Sequence, residues 1–238
     1  VLKAMFQQIY GESPYKSPTD MGVNMAGNCI CDDEACREVS CQEIIRRYYD
    51  SLKRLLFGTC PDSEVVKIEM LMNQAGITVH DRPVVDAAKK RAEETNGPAA
   101  ALQLHDGRII TGKTSNLLGA SAALLLNALK ELAGLDHQRH VISPEAIEPI
   151  QKLKTLYQGS KNPRLHTDEV LIALSVSAAT DPAAQLALDQ LPKLRGCQAH
   201  TSVMVSSVDM KQFKKLSIQA TFEAKYEKNS VFFSEKSV

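Results

Sequence analysis

Ala99-Ala100-Ala101-Leu102-Gln103-Leu104-His105-Asp106-Gly107-Arg108-Ile109-Ile110-Thr111-Gly112 decides the fold of this chain. Two apolar runs, Ala99 to His105 and Arg108 to Gly112, flank Asp106-Gly107, the pair best suited to the positive φ angles of a type I′ hairpin turn. The segment that follows, Leu117 to Leu135, is apolar nearly all round, which predicts a helix covered by sheet on one side and by other helices elsewhere.

Downstream, Ser143-Pro144-Glu145, Thr167 to Ala179 and Asp181-Pro182 each carry helix-start chemistry. Ala199 to Ser206 reads as a strand, Met210 to Leu216 as a short helix, and Ile218 to Tyr226 as a closing strand. Upstream the pattern is helical. Leu2 to Tyr10 is a helix, Asp32-Asp33-Glu34 opens a long one running towards Phe57, and Val65, Ile68, Met72 and Ala75 share one face of a third that stops at Gly76. Asp81 with Pro83 starts a fourth, with Val84, Val85, Ala88 and Ala92 facing inward until Asn96-Gly97-Pro98 ends it. The expected class is α+β or α/β: a helical domain over 1–97, a mixed-sheet α/β domain over 98–226, and a polar tail over 227–238.

The 238 residues are 44% apolar, and 28 basic residues balance 28 acidic ones, so no global field draws the chain to nucleic acid or to an anionic membrane. The longest apolar run is interrupted by Asn127, Lys130 and Glu131, so no membrane span is expected. Val1 opens the chain inside a helical pattern without a leader-like start, and the expectation is a fragment of a cytoplasmic protein. Cys29, Cys31, Cys36 and Cys41 crowd together, but their spacing lacks the two-residue knuckle of zinc sites, and no metal is expected.

Gly107-Arg108-Ile109-Ile110-Thr111-Gly112-Lys113-Thr114 formally matches a phosphate loop. Its inner residues are β-branched strand formers after a hairpin turn, whereas a phosphate loop must follow its strand. A narrower role survives, in which Lys113, Thr114 and Ser115 bind a single anion before the amino end of the apolar helix.

Asn162-Pro163-Arg164-Leu165-His166-Thr167-Asp168-Glu169 packs a cation, an imidazole, a hydroxyl and two carboxylates into the approach to one helix. Thr167 can cap that helix, holding Arg164 as an anion clamp and His166 as a general acid or base, with Asp168 setting the imidazole tautomer. The bland alternative has Arg164 bridging a carboxylate in a domain interface while His166 packs locally. In the loop Tyr15-Lys16-Ser17-Pro18-Thr19-Asp20, Lys16 and Ser17 are candidate ligand contacts, although such residues also make ordinary stiff connectors. Cys197 and His200 lie three apart in a strand and should face opposite sides, which discounts a Cys-His pair.

With Gly11 to Asn24, Asp81-Arg82-Pro83-Val84-Val85 and Asn162 to Leu174 in view, the chain resembles the carboxyl-terminal portion of an uncharacterised bacterial family, domain of unknown function 1846 (uncharacterised protein family 0371), from about Leu2 to Tyr226. The resemblance implies members about twice as long, with a glycine-rich, phosphate-loop-like segment in an amino-terminal part expected to be missing from this chain. A more distant similarity links the hairpin, Thr111-Gly112 and the next helix to the start of the cytidine-deaminase-like topology. The zinc chemistry does not carry over, since Leu117 to Ala128 contains no histidine, cysteine or glutamate.

The functional expectation is binding of an anionic or phosphorylated small molecule, such as a nucleotide, in a site shared with the amino-terminal domain of the same protein. A homo-oligomer is expected, no cofactor is identified, and the competing class is a structural or oligomerisation module.

Overall fold

Four strands form one mixed sheet in the order β2-β1-β3-β4, where β1 is Ala99–Gln103, β2 Ile109–Lys113, β3 Gln198–Thr201 and β4 Gln219–Phe222. The structure, a computed structural model, describes residues 2–11 and 32–227. The chain divides into two compact units, Val1–Arg82 and Pro83–Val238.

In the first unit, α1 is Leu2–Tyr10, α2 Asp33–Leu56 and α3 Asp62–Ala75. The Asp32 carboxylate caps α2 by accepting from the Ala35 amide at 2.9 Å. Gly76 ends α3 at φ 65°, a left-handed conformation that glycine adopts without steric cost. α2 packs against α3, and Ile45 and Tyr49 of the one and Val65 and Met72 of the other are buried. Arg82 is fully buried, and its Nη1 donates to Gln42 Oε1 at 3.1 Å.

The second unit begins with α4, Pro83–Thr95, which packs on β1. That packing explains why the compact division falls before α4, whereas the sequence-based boundary near residue 97 follows it. β1 is the central strand, antiparallel to both β2 and β3, while β3 and β4 run parallel. Its residues are buried on both faces: Ala101 meets Val84 and Ala88 of α4, and Ala100 and Leu102 join the main core on the other side. That core is dominated by α5, Ala120–Leu132, whose Leu124, Leu125 and Leu129 are fully buried. Each such leucine contributes about 1.5–3 kcal/mol by leaving water.

The hairpin forms, but its turn is not the type I′ pair that Asp106-Gly107 suggests. Gly107 N donates to Leu104 O at 3.0 Å, Leu104 N donates to Arg108 O at 2.8 Å, and positive φ occurs at Gly107 (86°) but not at Asp106. A three-residue loop closing on a left-handed glycine satisfies the strand twist equally well. α5 is shorter than the apolar run, because Leu118 is drawn into a parallel bridge with Leu165 and Gly119 becomes the N-cap.

Among the described residues the remaining α-helices are α6 (Pro144–Lys152), continued by a π turn over Leu153–Tyr157, then α7 (Thr167–Ala178), α8 (Pro182–Leu188) and α9 (Ser207–Lys215). Ser143, Asp181 and Ser206 cap α6, α8 and α9 with their side chains. No described helix is long and apolar enough to cross a membrane. The fold is thus mixed α/β with a four-stranded mixed sheet.

Lys89 of α4 pairs with Glu223, just past β4, at 2.8 Å, and His200 Nε2 lies 3.5 Å from the same carboxylate. Burial pushes the Glu223 carboxyl up, but His200 and Lys89 outweigh it and hold it near a pKa of about 2. A depressed carboxylate stabilises the folded state above its unfolded pKa of about 4.3, and that contribution is lost as pH falls through about 2. Glu223→Gln is therefore expected to cost about 1–2 kcal/mol at pH 7 after allowance for solvent screening. Paired melts should converge between pH 4 and pH 2; a constant gap would refute the assignment.

Candidate functional site

The parallel bridge between Leu118 and Leu165 builds the site. Leu165 N donates to Leu117 O at 2.9 Å and Gly119 N to Leu165 O at 3.1 Å, so the Arg164–His166 segment lies against the first turn of α5. Leu165 is fully buried and anchors this segment, leaving its neighbours Arg164 and His166 to line a cleft. The cleft has a volume of about 60 Å³, and Thr114, Gly119, Ser121, Ser206 and Asp209 also border it.

Gly119 has no side chain with which to cap α5, and no side-chain hydrogen bond caps that helix. The first amides of a helix have no intrahelical acceptor, so this end presents donors and a positive dipole terminus to the cleft. Ser121, at the second helical position, is only 3% exposed, and its hydroxyl has no hydrogen-bond partner among the described residues. A buried hydroxyl left unpaired costs free energy, which a ligand accepting from it would recover.

His166 is the N-cap residue of α7, with Thr167 the first helical residue; the expected cap by Thr167 is not made, and its hydroxyl is buried without a partner among the described residues. Instead Glu169 Oε2 accepts from His166 N at 2.7 Å. Lys154, carried inward by the π turn, donates to the same oxygen and to Arg164 O, both at 2.7 Å. This buried ammonium ties together both ends of the Arg164–His166 segment.

The carboxylate that orients the imidazole is Asp209, at the start of α9, and not Asp168. His166 Nδ1 lies 3.0 Å from Asp209 Oδ2, whereas Asp168 accepts from the Glu169 amide at 2.8 Å within its own helical turn. Asp209 also accepts from Thr167 N at 2.9 Å and from the Ser206 hydroxyl at 2.8 Å. Its burial raises the carboxyl, but the His166 ring, the Thr167 amide and the Ser206 hydroxyl together hold it below the usual carboxylate range. Because Ser206 spends its proton on Asp209, both neighbours of His166 Nδ1 act as acceptors there. That favours the tautomer protonated on Nδ1, with a lone pair on Nε2.

The other candidates fall out differently. Arg164 pairs with Glu227 at 3.4 Å, a partial neutralisation within the cleft wall. Thr114 borders the cleft, but Lys113 is exposed at the end of β2 and does not line it. Ser115 turns away: its hydroxyl accepts from Leu117 N and Leu118 N, and it borders a neighbouring, mainly apolar cavity of about 200 Å³. Lys16, Ser17, Cys29 and Cys31 lie outside the described residues. Cys197 is buried, which raises its thiol pKa, and its Sγ donates to Lys193 O at 3.5 Å, while His200 Nδ1 pairs with Thr221 at 2.8 Å. The second glycine of the apparent phosphate loop, Gly112, pairs with Ala100 in the sheet and faces α5.

Sequence reasoning missed Ser121, Lys154, Ser206 and Asp209. Ser206 three residues before Asp209 is a helix-start pattern that could have flagged the latter pair. Nothing in the sequence marks Ser121 within its apolar helix.

The family model described as domain of unknown function DUF1846, C-terminal, matches residues 80–232, and the DUF1846 N-terminal model matches residues 1–76. The similarity is thus not confined to the family's carboxyl-terminal domain. The UPF0371 protein of Corynebacterium aurimucosum is 55% identical over 99% of this chain and 47% of its own length. Those of Corynebacterium glutamicum and Streptococcus thermophilus are 53% and 49% identical, each over 98% of this chain and 47% of the relative. The chain spans about half the length of the curated relatives it matches.

Proposed function

The chain belongs to the DUF1846 (UPF0371) family, and from that premise we propose that its sheet-bearing unit binds an anionic, phosphorylated small molecule in the cleft at the amino end of α5. The observation that carries this reading is the Ser121 hydroxyl, buried and without a partner among the described residues, beside helix amides that Gly119 leaves uncapped. Arg164 supplies the cation, Thr114 a second hydroxyl, and His166 a proton donor or acceptor held by Asp209. A nucleotide fits this chemistry if its phosphate enters the cleft. In relatives of full length, the glycine-rich amino-terminal segment that the resemblance implies is proposed to complete the site. The cytidine-deaminase-like topology of the hairpin and α5 belongs to the same proposal and brings no zinc chemistry, since its ligand positions are absent from the sequence.

Titration calorimetry with inorganic phosphate and a panel of nucleotides tests the reading. Arg164→Ala is expected to weaken binding about tenfold or more, the loss of one charge-assisted hydrogen bond, with melting changed by less than about 1 kcal/mol. Glu227→Gln should tighten binding, because it frees the guanidinium from its carboxylate. The Arg164–Glu227 pair also favours a second reading, a structural rivet in an oligomerising module. That reading predicts a large stability loss in Arg164→Ala and no phosphate binding by any variant.

A further inference from the structure

Resting on the phosphate-cleft reading, we propose that His166 is a phosphoryl acceptor, its Nε2 taking a phosphoryl group from an acyl phosphate or phosphoanhydride bound at the amino end of α5. Three observations converge. The ring's Nδ1 is engaged by Asp209 at 3.0 Å and by Ser206 at 3.2 Å, while Nε2 has no hydrogen-bond partner among the described residues. The ring borders the cleft, and about a fifth of the side chain (21%) is exposed. The cleft, about 60 Å³ and open to solvent on one side, has room for a group the size of a phosphoryl.

The step balances without a further reagent. The Nε2 lone pair forms a bond to phosphorus, and the bond from phosphorus to the leaving oxygen breaks. The electron pair departs with a carboxylate or phosphate, neither of which needs a proton to leave. The imidazole is left cationic between phosphorus and the Nδ1 proton, and Asp209 faces that charge directly. The buried Ser121 hydroxyl, the first amides of α5 and Arg164 stabilise the equatorial oxygens. Water then attacks phosphorus, the nitrogen–phosphorus bond breaks with its pair returning to Nε2, and the water's proton is released to solvent.

The test incubates the purified chain with acetyl phosphate and follows intact mass, peptide mapping and ³¹P NMR, with inorganic phosphate binding measured alongside. The expected result is an acid-labile, base-stable adduct of one phosphoryl group on His166, absent in His166→Gln. Ser121→Ala, which keeps the imidazole, should form it about tenfold more slowly. Phosphate binding without an adduct overturns the acceptor role and leaves the cleft reading standing. An adduct on His105 or His137 that persists in His166→Gln overturns it equally. If phosphate does not bind and no adduct forms, the cleft reading fails and this inference with it.

Discussion

Gly112→Ala is expected to cost roughly 3 kcal/mol or more and to leave the second unit largely unfolded at physiological temperature, because the new methyl group has nowhere to go. A Cβ at this position overlaps the backbone of Leu124, 2.6 Å from its Cα, and lies 2.8 Å from the Ala120 carbonyl oxygen. Those are main-chain atoms of α5, so relief requires the helix to lift away from β2, opening the core around Leu124 and Leu125. The contrast is Gly107→Ala, where a Cβ meets nothing within 4 Å and only the positive φ of 86° is penalised, by about 1–2 kcal/mol. Chemical denaturation of both variants checks this. A Gly112→Ala protein that unfolds at the wild-type midpoint would show that α5 does not approach β2 so closely.

Asp209→Ala should be the most damaging change within the cleft, costing about 2–4 kcal/mol. It strips the Thr167 amide, the Ser206 hydroxyl and the His166 ring of one shared acceptor in a place that is 6% exposed. Asp209→Asn keeps the shape and should cost less, yet it changes the histidine. An amide nitrogen facing Nδ1 would donate to it and drive the ring proton to Nε2, removing the lone pair from the cleft. ¹⁵N chemical shifts of the imidazole read this directly, and unchanged shifts in Asp209→Asn would refute the orienting role. The pH dependence follows from the depressed carboxyl: its stabilisation is present above the unfolded aspartate pKa of about 3.9 and is lost as pH falls through the lower folded value.

Much of the architecture was legible locally. The hairpin, the buried helix after it and the helix starts at Ser143 and Asp181 rest on interactions within a few residues, and the structure has each of them; α7 also begins at Thr167, but Glu169 and the distant Asp209 take its first amides in place of a Thr167 cap. The turn differs from type I′ because Asp-Gly suits several hairpin loops, and local sequence does not choose among them. β4 ends at Phe222 rather than continuing to Tyr226, since only residues beside β3 acquire ladder partners.

By itself the sequence determined the alternation of apolar and polar residues, and hence which segments are strands and helices and which faces they bury. It also determined that Arg164 and His166 precede a helix. Only the tertiary structure decided what those residues face. Asp209 lies 43 positions from His166, and Asp168, the nearer carboxylate, is consumed by an amide of its own helix. The Leu118–Leu165 bridge brings the uncapped end of α5 beside them, and close packing makes Gly112 a matter of clearance and not of phosphate binding. Periodicity is encoded in neighbours along the chain, whereas a site is made by partners whose separation in sequence carries no local signal.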